Sequence, residues 1–446
     1  MIENVVDCMN ENPVNPTKLH ELVLGMNRVD VADAFELLSR EKATQLFRLL
    51  PKSMAAEVFS YIVHERQQTI VESLTDAEAG IIIDNLFVDD AVDFIEEMPA
   101  NVVKRVLRNV SDDKRQLINQ ILRYPEDSAG SIMTTEYVDL REDMTVVEAF
   151  DMIRAIGVNK ETIYTCYVIK RDKVLVGVVT VKTLLLANQN AHIKDVMDTN
   201  LIFANTTDDQ ESVADIFMRY SLLSLPVVDK ERRLVGIVTV DDIVQVIEEE
   251  ATEDIEKMAA LNPLEEPYLS AGVLKHSRNR IFWLIFLMFS ATITQIILAN
   301  FEEAIAVLPV LVTFIPLLMD TGGNSGAQSS TLIVRGLALG EIELKDVFKV
   351  LWYEMRIGVI CGTVLGAANF IRVYLTNNGD YLLCLTISLT LVVTVILSKT
   401  VGALLPLVAK RLRMDPAVMA APIVTTIVDG VALVVYFSIA RTILGI

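Results

Sequence analysis

Apolar and polar residues follow two different patterns along the chain, and the change falls near Ile281. Before it, short apolar faces alternate with charged positions. After it, apolar runs reach the length of about 20 residues that a helix needs to cross a hydrocarbon core. Five crossings are predicted, and they cover residues 281–300, 304–336, 350–375, 381–408 and 416–441. Residues 275–446 are therefore predicted to form a transmembrane domain of five helices.

A repeat lies in the polar half of the chain. The phrase LVGVVTV at 175–181 returns as LVGIVTV at 234–240, and each copy follows an amphipathic helical pattern. Val- and Ile-rich segments joined by polar turns predict the order strand, helix, strand, strand, helix in both copies. The two α/β units, residues 131–192 and 193–248, resemble a tandem pair of CBS domains.

The CBS resemblance leaves two functions open. Such pairs can bind adenine nucleotides such as ATP, and Thr239, Asp241 and Asp242 stand where the ribose would be held. The alternative is that the pair only dimerises and acts as a lever bridged by cations.

Residues 1–130 show repeated short helical patterns, such as REKATQLFRLLPKSMAAEVFSYI. Repeats of this kind predict an α-helical, superhelical domain of the solenoid class. Asp89, Asp90 and Asp93 place several acids on adjoining faces of one short segment, which by default is a solvated surface.

An acidic connecting segment, residues 249–274, joins the repeat to the first crossing. Glu250, Glu253 and Asp254 occur at i, i+3 and i+4, where like charges destabilise an isolated helix. A bound divalent ion or a neighbouring domain would remove that penalty. The position suits a gating ("plug") helix, and the alternative is an exposed acidic linker.

Charge separates the two halves further. Residues 1–274 hold 49 acidic and 26 basic side chains, a net charge of −23, whereas residues 275–446 have a net charge of +3. The acidic excess concentrates cations and repels nucleic acid and anionic lipid. The four cysteines and four histidines form no CxxC or zinc-type spacing, which favours a reducing, cytosolic environment.

The basic residues also predict an orientation. They precede the first crossing and follow the second and fourth, whereas the loops NFEEA and TNNGDY hold none. Because short cytoplasmic loops are enriched in Lys and Arg, the amino terminus is predicted to lie inside and the carboxyl terminus outside. No signal-peptide pattern opens the chain. We expect a multi-pass protein of the plasma membrane with cytoplasmic amino-terminal domains.

Asp429 lies near the middle of the last predicted crossing, where a charge is costly unless it faces water or a partner. On a helix, Pro422, Thr425 and Thr426 share its face. Magnesium gives up its hydration shell reluctantly, so a carboxylate with neighbouring hydroxyls suits a largely hydrated ion. Two alternatives remain: Asp429 is a proton-relay acid, or it pairs with Lys399.

The second predicted crossing carries small and polar residues in PLLMDTGGNSGAQSSTLIVRGLALGEI. Glycines weaken a helix, and a broken backbone at membrane depth must line a cavity or be buried in protein. The residues predicted to contact ion-bound water, or to let the backbone approach it, are Asp320, Gly322, Gly323, Asn324, Ser325, Gly326, Gln328 and Ser329. The alternative is that they only pack helices together.

The whole order of domains resembles the MgtE family of magnesium transporters. The most specific signatures are MDTGGNSGAQSSTLIVRGLALGEI at 319–342 and DPAVMAAPIVTTIVDGVAL at 415–433. The resemblance implies a homodimer in a lipid bilayer, with a pore on the twofold axis and Asp429 binding Mg²⁺. It also implies that cytosolic Mg²⁺ closes the pore by bridging acidic surfaces. The candidate sensor ligands are Asp89, Asp90, Asp93, Asp229, Asp241, Asp242, Glu250, Glu253 and Asp254.

Two rival functions stay open at this point. One is a proton- or sodium-coupled divalent cation carrier that uses Asp429 as its coupling acid. The other is a CBS-regulated membrane receptor that does not transport. An enzyme is not expected, because the sequence offers no nucleophile and base pair, metal cluster or phosphate-binding loop.

Overall fold

A computed structural model describes residues 2–11, 13–264, 268–269, 271–377, 380–419 and 421–445, leaving aside the side chains of residues 52 and 53. The chain divides into two compact units, Met1–Ile247 and Glu248–Ile446, and each is considered by itself. The predicted connecting segment 249–274 therefore belongs with the second unit, and its residues 265–267 and 270 lie outside the described residues.

The first unit begins with a series of short helices. Within the described residues these are α1 (Ile2–Asn10), α2 (Pro16–Leu24), α3 (Arg28–Glu36), α4 (Arg40–Leu49), α5 (Lys52–Ser60), α6 (His64–Ser73), α7 (Asp76–Asn85), α8 (Val88–Glu96), α9 (Ala100–Leu107) and α10 (Asp112–Ile121). Side-chain caps such as Asn27 and Thr75 begin helices at short intervals along the chain. Successive odd-numbered helices pack on one another from α1 to α9. The superhelical shape itself stays a prediction.

The apolar faces of these helices meet in one core. Phe47, Phe59 and Phe94 from α4, α5 and α8 lie edge to face, with ring centroids 5.8 and 5.3 Å apart. Aromatic pairs in this geometry contribute about 0.5–1.5 kcal/mol each beyond the area that they bury. The rings therefore fix how the short helices stack.

Two similar α/β repeats follow. Their strands are β1 (Asp139–Arg141), β2 (Thr165–Ile169), β3 (Leu175–Thr180), β4 (Ala204–Asn205), β5 (Ser224–Val228) and β6 (Leu234–Thr239), and their helices are α11 (Val146–Ile156), α12 (Val181–Leu186), α13 (Ile193–Val196), α14 (Gln210–Tyr220) and α15 (Val240–Met258). The sheets have the orders β1-β2-β3 and β4-β5-β6, each with one parallel and one antiparallel pair. The repeated phrases are β3 and β6, so the predicted order of elements is confirmed.

Long helices dominate the second unit. They are α16 (Val273–Ala299), α18 (Ile315–Ala338), α19 (Val347–Thr376), α20 (Tyr381–Arg411) and α21 (Ala421–Leu444), with the short α17 (Glu302–Val307) after α16. By length and composition, four segments could span a membrane: Val273–Ala299, Leu344–Thr376, Tyr381–Arg411 and Pro416–Leu444. Helix α18 is long enough but more polar, so the count of five crossings stays a prediction.

The predicted second crossing differs from expectation in where it breaks. Helix α18 runs unbroken through Gly322, Gly323 and Gly326, and the irregular backbone lies earlier, at Leu308 and Pro309. Close packing explains this: a Cβ at Gly322 would meet Val428 of α21 at 3.0 Å, and a Cβ at Gly326 would meet Val424 at 2.7 Å. Tertiary packing on α20 and α21 offsets the weak helix propensity of glycine.

Candidate functional site

The predicted ion path lies where α18 packs against α21. Gly323 leaves room for Thr425, whose Cγ2 would lie 2.9 Å from a Cβ at that glycine. Asp429 is half-buried one turn further along α21, and the carboxylate of Asp320 on α18 is close enough to interact with it electrostatically. The structure thus brings together residues of the two most specific motifs.

The hydroxyls beside Asp429 are oriented by their own backbone. Thr425 and Thr426 both donate to the carbonyl oxygen of Pro422, each at 2.9 Å. Because the hydroxyl protons are used in this way, the lone pairs of both oxygens remain to accept hydrogen bonds. A hydrated cation presents only water protons, so these two threonines suit its hydration shell.

Lys399 does not neutralise Asp429. Among the ion pairs of the described residues, none involves Asp429 within 4.0 Å, and the Lys399 ammonium instead donates to the Ser329 hydroxyl at 3.4 Å. Within the part of the chain that the structure describes, the carboxyl group of Asp429 therefore lies among apolar helices with no basic side chain paired to it.

A polar stripe runs along the outer face of α18. Asp320, Asn324, Gln328 and Thr331 follow one another at about one helical turn each, and all are exposed. Hydrocarbon cannot satisfy amide, hydroxyl or carboxylate groups. This stripe must therefore face water or another protein surface.

In the first unit, acids from separate elements come together around α8. Asp89 is 8% exposed and Asp90 is half-buried, while Glu161 follows α11 and Asp242 begins α15. Burial and the nearby Asp242 raise the pKa of Asp90 to about 7. Burial and Asp90 raise the pKa of Glu161 to about 8, and burial raises that of Asp242 to about 6. Burial and Asp242 also raise the pKa of Asp89.

One cation and one unpartnered oxygen complete this acidic cluster, which we define as Asp89, Asp90, Glu161, Asp241 and Asp242. Lys114 is buried beside it and donates to Glu136 Oε1 at 3.2 Å. The positive charge of Lys114 lowers the pKa of Asp90 and so offsets part of the rise. Glu161 Oε2 is buried and has no hydrogen-bond partner among the described residues. A buried carboxyl oxygen without a hydrogen-bond partner is costly, so a positive charge bound beside it would be favourable.

The cluster is not a ready-made metal site. Over the described stretches of the chain, no group of three or more His, Cys, Asp or Glu side chains is arranged to hold a metal ion. Sequence reasoning missed Glu161, Glu136 and Lys114, because each stands alone in its segment and only the fold brings it near α8.

Several predicted sensor residues have other positions. Asp229 accepts backbone N–H groups of Glu231 at 2.9 Å and Arg233 at 2.8 Å, so it holds the turn between β5 and β6. Asp93 lies on the exposed side of α8. Asp229 and Asp93 are not part of the cluster around α8, and their role as sensor ligands stays a prediction. Thr239 donates to Asp242 Oδ2 at 2.5 Å, which caps the start of α15.

We expect the raised carboxyl pKa values to make the metal-free soluble half less stable as pH rises. These carboxyl groups have ordinary pKa values near 4 but keep their protons to about pH 6–8 in the folded state. The folded protein therefore binds more protons than the unfolded chain in this range, and it loses stability as the pH rises and those protons leave. Thermal unfolding of residues 1–258 without divalent ions should show a midpoint several degrees lower at pH 8 than at pH 6. A flat profile would contradict burial of the cluster. Saturation with a divalent ion is the control and should suppress the slope.

In the second unit, the end of α15 contacts the segment before α21. Lys257 Nζ lies 2.7 Å from Glu253 Oε1 and 2.7 Å from Asp415 Oδ2. Burial lowers the pKa of Lys257, but its hydrogen bonds to Asp415 and Glu253 outweigh that and raise it. Burial and Asp415 raise the pKa of Asp254. One of the three predicted acids of this helix, Glu253, therefore pairs with a lysine that the sequence did not indicate, and Glu250 lies half-buried one turn earlier.

Comparison with known families covers most of the chain. Residues 26–127 match the family described as the MgtE intracellular N domain, and residues 129–190 and 193–249 each match the CBS domain. Residues 315–439 match the family MgtE, described as a divalent cation transporter. The matched stretches follow the order of the elements described above.

Relatives and solved structures agree with these matches. The magnesium transporter MgtE of Thermus thermophilus is 36% identical over 431 residues, which cover 96% of this chain and 95% of the relative. The magnesium transporter MgtE of Bacillus subtilis is 30% identical, and the match covers 89% of this chain and 90% of that relative. The crystal structure of the soluble part of a magnesium transporter is 28% identical with a TM-score of 0.54, covering 56% of this chain and all of that one. The cytosolic domain of the Mg²⁺ channel MgtE in complex with ATP is 32% identical with a TM-score of 0.52, covering 55% and 100%.

Proposed function

The chain belongs to the MgtE family of divalent cation transporters, and on that premise we propose that it is a homodimeric magnesium channel or transporter of the plasma membrane. Its five long helices cross the bilayer, and its amino-terminal domains lie in the cytoplasm. The proposed domains are residues 1–130, 131–192, 193–248, 249–274 and 275–446. Magnesium is both the transported ion and the regulator.

One observation carries the proposal. Asp429 lies among apolar helices with no basic side chain within 4.0 Å among the described residues, and the oxygens of Thr425 and Thr426 lie on the same face. A negative charge is maintained in a membrane only where it meets an ion or water. A largely hydrated Mg²⁺ ion held by the carboxylate, with its waters donating to the threonines, satisfies every group named.

The polar stripe of α18 supports a dimer with the pore at its centre. Asp320, Asn324, Gln328 and Thr331 are exposed in a single chain and cannot face lipid. Two copies related by a twofold axis would turn both stripes, together with Gly323 and Gly326 behind them, toward one aqueous path. Two Asp429 carboxylates would then act on the same ion.

The acidic cluster and the end of α15 are the proposed sensor. At high cytosolic magnesium, ions occupy the cluster around Asp89 and the acids near Asp415 and relieve the repulsion that the raised pKa values reveal. At low magnesium the repulsion returns and the closed arrangement loosens. The buried Glu161 Oε2, for which the described residues provide no hydrogen-bond partner, supports this proposal more directly than the surface acids do.

ATP or another adenine nucleotide is proposed as a second ligand of the CBS pair. The support is the related cytosolic domain solved in complex with ATP. Asp241 is exposed, while Thr239 and Asp242 are already hydrogen-bonded to each other. Asp241 is therefore the best candidate of the three.

Flux measured in proteoliposomes tests the function. The full chain is reconstituted with a magnesium-sensitive dye inside, and uptake is followed while magnesium on the sensor side is raised. We expect uptake that falls as sensor-side magnesium rises. Uptake that requires a proton or sodium gradient would favour the coupled carrier, and absence of uptake under every condition would favour the receptor.

Lys257 provides a prediction about the sensor. Replacing it with methionine removes the cation between Glu253 and Asp415, so the freed acids should bind magnesium more tightly. Half-inhibition of uptake should shift to a several-fold lower sensor-side magnesium concentration. Lys275→Met is the matched control on α16 and should leave the curve in place. An unchanged curve for Lys257→Met would remove this contact from the sensor.

A further inference from the structure

Three membrane-half helices each bury one polar side chain at a common point. Ser329 of α18 is 1% exposed, Glu354 of α19 is 5% exposed and Lys399 of α20 is 5% exposed. The Ser329 hydroxyl donates to Glu354 Oε2 at 2.6 Å and accepts from Lys399 Nζ at 3.4 Å. A buried acid and a buried base thus share one hydroxyl, and the site around Asp429 uses neither of the two charged groups.

Their hydrogen-bonding capacity is far from satisfied by protein. An ammonium has three donors and a carboxylate has about four acceptor sites. In the part of the chain that the structure describes, Ser329 is the only hydrogen-bond partner of both Glu354 and Lys399. The remaining sites are therefore available to water or to a ligand.

Glu354 and Lys399 line a cavity that can hold water or a ligand. It measures about 760 Å³, and Asn324, Gln328 and Thr331 of the polar stripe line it together with Glu354 and Lys399. Ala327, Leu332 and Ile357 give it apolar walls, while its amide, hydroxyl and charged groups favour water. Six waters occupy roughly 180 Å³ at about 30 Å³ each, so a fully hydrated cation fits with room to spare.

The cavity lies along the proposed path, beyond Asp429. Gly322 of α18 packs against Val428, next to Asp429, and Ser329 is seven residues further toward the end of α18 that is proposed to be cytoplasmic. At about 1.5 Å per residue this places the site about 10 Å from the level of Asp429. The polar stripe connects the two levels without interruption.

We propose that Glu354 is a second cation-binding carboxylate of the permeation path, which receives a hydrated divalent cation on the cytoplasmic side of Asp429, and that Lys399 is its resident counter-ion. The inference rests on the proposed function. When the site is empty, Lys399 balances Glu354 through Ser329. When a divalent cation arrives, the flexible lysine gives way and the ion is held by Glu354 and by the amides of Asn324 and Gln328 through water. The competition keeps binding weak, which conduction requires.

A purely structural role makes a different prediction. If the pair only ties three helices together, removing either charge leaves the other buried and unpaired, and both single variants lose stability while the double variant regains it. If Glu354 binds the ion, the two charges act in opposite directions on magnesium affinity. The double variant then behaves like the variant that lacks Glu354.

The test measures uptake by the full chain in proteoliposomes against external magnesium, with thermal unfolding of each variant in detergent. Glu354→Gln should raise the half-saturating magnesium concentration at least fivefold, Lys399→Met should lower it several-fold, and Glu354→Gln/Lys399→Met should match Glu354→Gln. Should Glu354→Gln fail to fold, Glu354→Asp keeps the charge on a shorter stem and should shift the curve in the same direction. Arg356→Met, which removes an exposed cation two residues from Glu354 on α19, is the matched control.

Shifts of Glu354→Gln and Lys399→Met in the same direction, or recovery of flux and stability in the double variant, would overturn the inference. Asp429→Asn, measured in parallel, distinguishes failure of this inference from failure of the proposed function. Native flux that depends on Asp429 but not on Glu354 would reject this inference alone, whereas absence of native flux would reject the proposed function beneath it.

Discussion

Replacing Asp429 with asparagine is expected to reduce initial magnesium uptake by more than about tenfold, which corresponds to about 1.4 kcal/mol or more of lost ion stabilisation. The amide has nearly the same volume, so the packing of Gly322 and Val428 nearby should remain. The substitution removes the only carboxylate on this face of α21. In a site of reduced dielectric, the attraction between a carboxylate and a divalent ion exceeds about 1.4 kcal/mol. Dye-reported uptake at several external magnesium concentrations measures the loss.

A matched control removes an acid from the same half of the protein without touching the path. Glu303 is exposed on α17, and Glu303→Gln should leave uptake at the native rate. Thermal unfolding should show that Asp429→Asn is folded. Full flux with an altered dependence on pH would move Asp429 from ion ligand to coupling acid and favour the carrier.

The second large effect is expected in the acidic cluster. Changing Asp89, Asp90 and Asp242 together to asparagine removes both the mutual repulsion and the carboxylates available to a divalent ion. The metal-free soluble half should then unfold at a higher temperature than the native one, because burying neutral amides costs less than burying charges. Magnesium should add little further stability, and uptake by the full chain should lose most of its inhibition by sensor-side magnesium.

The comparison needs a variant with the same change in net charge elsewhere. Asp33, Asp113 and Asp195 are exposed acids of the same unit, and their triple change to asparagine should retain both the thermal stabilisation by magnesium and the inhibition. Equal loss in both triple variants would mean that general charge, rather than the buried cluster, is sensed. Retention in both would exclude the cluster as the sensor.

Local patterns explain why much of the fold could be predicted. The alternation in LVGVVTV and LVGIVTV specifies a strand in each repeat, and both phrases form strands with the same neighbours. Apolar runs of sufficient length gave the long helices of the second unit. The break in α18 was misplaced because glycine propensity is a local property, whereas the helix is held by contacts with α20 and α21.

The sites were predicted only where their members are neighbours along one helix. Thr425, Thr426 and Asp429 share a face of α21, so their spacing reveals them. Lys257 and Asp415 are 158 positions apart, and no periodicity connects them. Asp229 shows what an isolated acid in a polar turn leaves open: two backbone N–H groups donate to its Oδ1, and its role in ion binding stays a prediction.

The seam between α18 and α20 has a mechanical consequence. At Gly402 a Cβ would collide with the carbonyl oxygen of Gly326, so the two backbones touch with no side chain between them. Neither helix can roll about its own axis without driving a neighbouring side chain into that seam. We therefore expect the pair to move as one rigid block, so that opening and closing are carried by sliding between whole protomers rather than by bending within one.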